Sequence, residues 1–372
     1  MRTQIVSIED MSAHEIVQWN AWASRDGELT SPYLRFEFTE TVARARRDVR
    51  IAVFEDDQGL AGFFPHHRPH GGVVRPVGAP MSDYQGAIAR EPGLLDPKLV
   101  ARATGASAFV YENWLGTGDT PAAGTRSRED SQIVDLAAGP EGYFEAQRGL
   151  HRDHFRKTAR RLRAAERDHG PVRVVLGDPK GEAFNRLSGW KQAQYRATGK
   201  LNVLGIDWVR HVLTDLRKRE GQDFSGLTAS LWFGDRLAAA EFGLVAGDVY
   251  HSWFPAYDPD LAKYSPGLLL LHGLFEQAPE RGLTRIDLGK GGDHYKKYYA
   301  NRSVPLDQGR VLSPGLAALG VAGWDLAERA AGVLPGRLAH LPARLRNRWS
   351  QVSAFEPRMG PRLTSLAMSI SL

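Results

Sequence analysis

One strand-turn-strand pattern occurs twice in this chain. The stretch "IAVFEDDQGLAGFFP" aligns with "ASLWFGDRLAAAEFG" so that aromatic falls on aromatic, turn on turn and small residue on small residue. The first copy reads as two strands about a tight turn at Asp57 to Gly59. The second, "LTASLWFGDRLAAAEFGLVAGDVYHSWFPAY", reads as three strands joined by turns at Gly234-Asp235 and Ala246 to Asp248. A helix-rich stretch precedes each copy, "SAHEIVQWNAWASR" with "FEFTETVARARRD" and "FNRLSGWKQAQYRA" with "DWVRHVLTDLRKRE". A chain of 372 residues is too long for one ordinary core. The expectation is two copies of one α/β domain.

After the second meander come "DPDLAKYSPG", the helical "LLLLHGLFEQAPERG" and the strand "TRIDLG". Strand, loop, helix and strand make a crossover, so each sheet should be mixed, with some strands parallel. Pro266 suits the first helical turn and Ser265 before it is placed to cap the helix. The amides of that turn would favour an anion. Between the halves, "GPEGYFEAQRGLHRDHFRKTARRLRAAERDHG" reads as a single long helix, 143–169, stopped by Gly170 and Pro171. Phe144, Leu150, Phe155, Ala159, Leu162 and Ala165 can share one stripe, with seven Arg or Lys side chains on the remaining surface. The expected division is an N-terminal domain 1–140, a C-terminal catalytic domain 141–310, and a helical tail 311–372 whose amphipathic pieces should dock on the second domain. Membrane-surface contact through the tail stays open.

With 42% hydrophobic and 24% charged residues the composition is that of a soluble globular protein. The absence of cysteine excludes a disulfide framework, a thiolate zinc site and a cysteine nucleophile, and fits a reducing cytoplasm. No secretory signal is read at "MRTQIVSIEDMS", and "SPGLLLLHGLF" and "LSPGLAALGVAGW" are too short to span a bilayer. A net charge of +5 is mildly basic and is accounted for by an anionic ligand as well as by nucleic acid. His66, His67 and His70 in "FFPHHRPHGG" invite a metal reading, but no local carboxylate or cysteine completes a ligand set. No metal is expected.

The glycine-rich "IDLGKGGDHYKKYY" follows a short strand, yet it lacks the Gly-Lys-Ser/Thr of a P-loop. Taken in order, "HRDHFRKTARRLRAAERDHG", "LSGWKQAQYRATG", the meander, "AYDPDLAKYSPGLLL" and "RIDLGKGGDHYKKYYANRSVPL" resemble the acetyltransferases of the GNAT superfamily. More narrowly, they are similar to the tandem-GNAT branch that includes CelD-like proteins of cellulose and exopolysaccharide synthesis. Fem-type aminoacyltransferases are more distant relatives. The likeness is strongest from Leu150 to Leu306. It extends more loosely over the first half, where "VGAPMSDYQGAI" matches the segment ending the first domain.

The resemblance implies an acyl-CoA, acetyl-CoA in the first instance, lying between splayed strands. It would run beside "VYHSWFPAY", which ends at Tyr257, with its pyrophosphate on the helix that starts at Ser265, Pro266 and Gly267. It implies a reaction centre near Lys296, which follows Tyr295 as in the family's aromatic-lysine pair. Asp287 and Gly289 match the family's turn, with Leu288 where an aromatic would stand. Asp83 and Tyr84 match a first-domain segment that helps hold the acceptor. One departure is that "DLAKYSPG" offers Gly267 alone where the family carries spaced glycines. The donor therefore stays open between acyl-CoA and, in Fem-type fashion, aminoacyl-tRNA. Nucleic acid is otherwise not expected as a partner.

Two residues stand out on their own chemistry. Glu241 interrupts the apolar strand "RLAAAEFGLV", and a carboxylate there is either paired or raised in pKa, as a general base requires. His251 shares an apolar strand with Val249 and Trp253, where it is a core residue or a base. Antiparallel pairing would make Glu241 and His251 diagonal neighbours. The expected activity is N- or O-acyl transfer to a sugar or cell-envelope precursor, with a non-catalytic accessory role in polysaccharide synthesis as the alternative from another class. Acceptor and oligomeric state are not readable.

Overall fold

The computed structural model describes residues 1–25, 30–116, 120–292, 294–331, 349 and 352–355. Its strands are β1 (Arg2–Val6), β2 (Val49–Asp56), β3 (Gly59–His70), β4 (Val73–Pro76), β5 (Ile88–Ala89), β6 (Ala108–Leu115), β7 (Thr125–Asp135), β8 (Val172–Leu176), β9 (Phe224–Phe233), β10 (Arg236–Ala246), β11 (Val249–Tyr257), β12 (Arg285–Lys290) and β13 (Arg302–Leu312). The α-helices are α1 (Ala13–Ala23), α2 (Phe36–Ala45), α3 (Pro97–Ala103), α4 (Gly139–Leu150), α5 (Arg152–His169), α6 (Glu182–Ala197), α7 (Asp207–Lys218), α8 (Pro266–Gln277) and α9 (Leu316–Ala331).

The chain forms two compact units, neither of them one continuous stretch. The first holds Met1–Ala23, Val42–Arg128 and Leu306–Leu372; the second holds Ser24–Thr41 and Glu129–Pro305. In the first, β1, β2, β3 and β4 are successive antiparallel neighbours, β6 runs parallel to β4, and residues 306–312 of β13 close the sheet antiparallel to β6. In the second, β8, β9, β10 and β11 are successive antiparallel neighbours, β12 runs parallel to β11, and residues 131–135 of β7 close it antiparallel to β12. The two orders correspond strand for strand. The mixed α/β fold is therefore a duplication, as the repeated hairpins suggested.

Local chemistry explains the hairpins and the crossover. Gly234 turns β9 into β10 at φ +55°, and a Cβ there would lie 2.6 Å from the His169 carbonyl, so both conformation and space select glycine. In the second unit α8 packs on β8, β9, β10 and β11, burying Leu269, Leu270, Leu271, Leu274 and Phe275. Each such side chain contributes roughly 1.5–3 kcal/mol relative to exposure. Tyr143, Phe144 and Phe155 of α4 and α5 join the same core.

Three expectations are corrected. The long helix is broken at His151, whose φ of −130° and ψ of 43° are not helical, so α4 and α5 are separate. Leu150 and Ala159 are exposed, off the buried stripe. The described tail residues 352–355 belong to the first unit rather than the second. Val352, Ala354 and Phe355 are buried within the first, where Arg46 donates to the Ala354 carbonyl (3.1 Å) and Arg75 to Ser353 Oγ (3.4 Å). The rest of "LPARLRNRWSQVSAFEP", apart from 349 and 352–355, lies outside the described residues. No described helix is long and apolar enough to cross a membrane.

Candidate functional site

In the second unit β11 and β12 pair over three positions, Val249 with Arg285, Tyr250 with Ile286 and His251 with Asp287. β11 then continues to Tyr257 and β12 to Lys290, with no further pair between them among the described residues. The parallel strands part immediately beyond His251 and Asp287. A fork at the carboxyl ends of parallel strands is a ready ligand crevice.

The first unit has the corresponding fork, and its own chain fills it. β4 and β6 pair at Val73 with Ala108 and Val74 with Phe109. Beyond that point Gln85 docks on β6: its amide donates to the Asn113 carbonyl (2.8 Å), its carbonyl accepts from the Leu115 amide (2.6 Å), and its side-chain Oε1 accepts from the Glu112 amide (2.9 Å). Asn113 Nδ2 donates to the Ser82 carbonyl (3.1 Å). Asp83 and Tyr84 thus lie in the segment that plugs the first unit's fork, Tyr84 buried and Asp83 half-buried.

At the apex of the second fork, His251 is fully buried. Its Nδ1 lies 3.3 Å from Asp287 Oδ2, within ion-pair reach though not in line for a straight hydrogen bond. Asp287, 4% exposed, is fixed from the other side: its Oδ1 accepts from Ser131 Oγ at 2.7 Å and from the Gly289 amide at 2.8 Å. Ser131 comes from β7, brought opposite by the register shift between Asp287 and Lys290. Gly289 sits at φ +75°, the left-handed conformation that lets its amide fold back on the carboxylate two residues earlier. Tyr33 meets the His251 ring edge-on at 4.9 Å. Ser131 and Tyr33 were not legible in the sequence.

Glu241, on β10, is 2% exposed. Burial pushes its pKa up, opposed by the neighbouring Ser252 and Tyr250 hydroxyls and by the charges of His251 and Lys191. Its Oε1 and the Tyr250 hydroxyl are close but out of hydrogen-bond geometry. Glu241 and His251 are not diagonal neighbours: Glu241 pairs with Pro255, His251 pairs with Leu244, and a bulge between Phe242 and Gly243 offsets them. The raised pKa of Glu241 has a stability linkage of definite sign. The unfolded chain ionises near 4.5 while the folded site resists, so the contribution is complete below about 4.5 and is lost as pH rises through the folded pKa. Glu241→Gln should therefore raise the melting temperature at pH 7, each kcal/mol recovered being worth roughly 2–4 °C. An unchanged or lower midpoint by calorimetry would contradict the buried-acid assignment.

Lys296, 5% exposed, donates through Nζ to the carbonyls of Gly289 (3.1 Å) and Lys290 (2.8 Å), folding the glycine loop back on its own strand. Tyr295 packs half-buried against the core, and Asp293 lies outside the described residues. The loop's far end is anchored by buried Tyr299. Its hydroxyl meets His154 Nε2 and His272 Nε2, each at 2.9 Å, and its carbonyl accepts from the Tyr143 hydroxyl (2.6 Å). Burial holds His272 down at about 4, hence neutral.

At the start of α8, Ser265 does not cap with its side chain. It ends the preceding 3-10 turn in a left-handed conformation, φ 52° and ψ 57°, which directs the backbone but leaves the hydroxyl unused as a cap. Its carbonyl accepts from the amides of Leu268 (3.0 Å) and Leu269 (3.3 Å). Pro266 brings no donor. A Cβ on Gly267 would meet nothing within 4 Å, so the backbone is open there. Tyr257, at the end of β11, is 45% exposed.

In the first unit the histidine run is structural in its contacts. His67 Nδ1 faces Asp48 Oδ1 (3.2 Å), its Nε2 accepts from the Gly78 amide (3.1 Å), and burial holds His66 down at about 4. Among the described residues no three His, Asp or Glu side chains form a metal-ligating group.

Residues 152–297, the part of the chain that holds the fork, the dyad and the lysine loop, match the family model described as an acetyltransferase (GNAT) domain. The match covers this segment and not the rest of the chain. No curated protein matches the chain. Solved structures similar to it include a conserved protein of unknown function from Bacteroides thetaiotaomicron VPI-5482 (10% identity, 80% of this chain and 98% of that one, TM-score 0.50). FemX is another (9%, 83% and 96%, 0.48), as is a tandem GNAT protein from the clavulanic acid biosynthesis pathway (12%, 85% and 100%, 0.43). At such identities the likeness concerns the fold alone. The GNAT reading rests on the family match over residues 152–297.

Proposed function

We propose that the GNAT domain, within residues 141–310, moves an acyl group from acyl-CoA, acetyl-CoA in the first instance, to an amino or hydroxyl group of a sugar or cell-envelope polysaccharide precursor, as a CelD-like enzyme of the cytoplasm would. The observation that carries this reading is the fork between β11 and β12 with a His-Asp pair at its apex. The acceptor loses a proton to His251 Nε2 as its nitrogen or oxygen attacks the thioester carbon. The carbon-sulfur bond breaks and CoA leaves as the thiol. As the imidazolium forms, Nδ1–H turns into line with Asp287 Oδ2, which then holds that proton and balances the charge. Tyr33 excludes water from the base until the acceptor displaces it. The open backbone at Gly267 takes the donor pyrophosphate.

Gly267→Phe tests the donor site without disturbing the fold, since the new side chain enters open space. Calorimetric titration should show acetyl-CoA affinity falling about tenfold or more while the melting temperature holds. Unchanged affinity would move the donor elsewhere. One observation favours a second reading, a non-catalytic accessory role: Glu241, His251, Asp287 and Lys296 are all buried. Turnover of acetyl-CoA with an amino-sugar acceptor separates the two. In either reading the plugged fork of the first unit implies one donor per chain.

A further inference from the structure

Helix α5 concentrates positive charge along one line. Its 18 residues hold seven Arg or Lys and three Asp or Glu, a formal +4 against +5 for the whole chain. Arg152, Arg156, Arg160, Arg163 and Arg167 are all exposed. At 100° per residue they fall within a sector of about 80°, along roughly 22 Å of helix. Phe155, Thr158 and Ala165 occupy the opposite side and are buried. Arg156 and Arg167 touch Asp153 and Asp168 in solvent-exposed pairs at 2.9 Å, which are worth little. Arg152, Arg160 and Arg163 meet no acidic partner among the described residues. The row is thus cationic, three of its five guanidiniums having no acidic partner among the described residues.

A second observation selects the partner. Leu150, the last residue of α4 and two residues before Arg152 in the chain, is 73% exposed, more than any other large apolar side chain of the described residues. Nucleic acid and acidic glycan offer nothing to an isolated leucine. A bilayer offers both phosphate headgroups to the guanidinium row and an apolar interior to the leucine. We propose that α5 and Leu150 form a docking face for an anionic phospholipid surface. Because the apolar side of α5 is spent on the protein core, attachment is electrostatic, reversible and salt-sensitive, with Leu150 the inserted apolar group. This inference stands apart from the transferase reading, since binding is measured without turnover.

The test is co-sedimentation of the full chain with vesicles of phosphatidylcholine alone and of an equimolar mixture with phosphatidylglycerol. At about 0.1 M salt, where the Debye length is roughly 10 Å, the protein should pellet with the mixed vesicles and remain free of the neutral ones. Each arginine near an anionic leaflet is worth about fivefold in partitioning, so Arg160→Glu with Arg163→Glu should weaken it by roughly 25-fold or more. Leu150→Glu should weaken it independently, and Lys98→Glu, an exposed cation of the first unit, should not. These positions are solvent-exposed, so circular dichroism should show every variant folded. No pelleting by the wild type, or pelleting that survives the double arginine reversal, overturns the proposal, the latter assigning membrane contact to the tail. So does binding to poly(uridine) that matches vesicle binding and ignores Leu150→Glu, which would make the row a nucleic-acid surface.

Discussion

Asp287→Asn should reduce kcat by about 10³–10⁴-fold while leaving the fold and donor affinity unchanged. The reason is tautomeric. Asp287 Oδ1 is held by two donors, Ser131 Oγ and the Gly289 amide. An asparagine keeps its carbonyl oxygen there and so turns its amide toward His251 Nδ1. An N–H donor facing Nδ1 forces that nitrogen to accept, places the imidazole proton on Nε2, and removes the lone pair that takes the acceptor's proton. The volume and the two retained hydrogen bonds argue against unfolding. Nitrogen-15 chemical shifts of the imidazole should show the tautomer exchanging in the variant. Ser131→Ala frees one side of the carboxylate without inverting any donor, so a much smaller loss is expected. Turnover of Asp287→Asn within tenfold of wild type would remove His251 from the mechanism, and Glu241 would be the next base to test.

That pair was half legible in the sequence. His251 and Asp287 each stood out, one on an apolar strand and one in a family-like turn, but their meeting depends on the parallel register of β11 with β12. Register between strands separated by a helix is set by how that helix packs, which no local pattern records. Ser131 was hidden for a related reason. Its strand, "TRSREDSQIVD", is mostly polar, and burial of one serine follows from β7 closing a sheet far along the chain. The duplicated hairpins, by contrast, were read correctly because alternation and glycine turns are local signals. The tail was misplaced because amphipathicity says that a face will be buried and not against what. The break at His151 falls two residues after Gly149, a weak local signal that the continuing helical pattern outweighed.

Lys296→Met should lower turnover on the order of a hundredfold, more than it weakens donor binding. The buried ammonium does two things at once. It puts a positive charge beside a fork whose chemistry develops negative charge on the thioester oxygen, and it satisfies the carbonyls of Gly289 and Lys290. Methionine keeps the stem but leaves those carbonyls without this donor, at a cost of about 1–3 kcal/mol for each that stays buried. The loop should then loosen, and with it the Gly289 amide that holds Asp287. Hydrogen exchange separates the two effects: faster exchange from Gly289 through Lys297, together with lost turnover, assigns Lys296 to holding the loop and, through it, the dyad. Lost turnover with unchanged exchange assigns it to the reacting oxygen instead. Full turnover in the variant would sink both roles and leave the lysine as a fold contact alone.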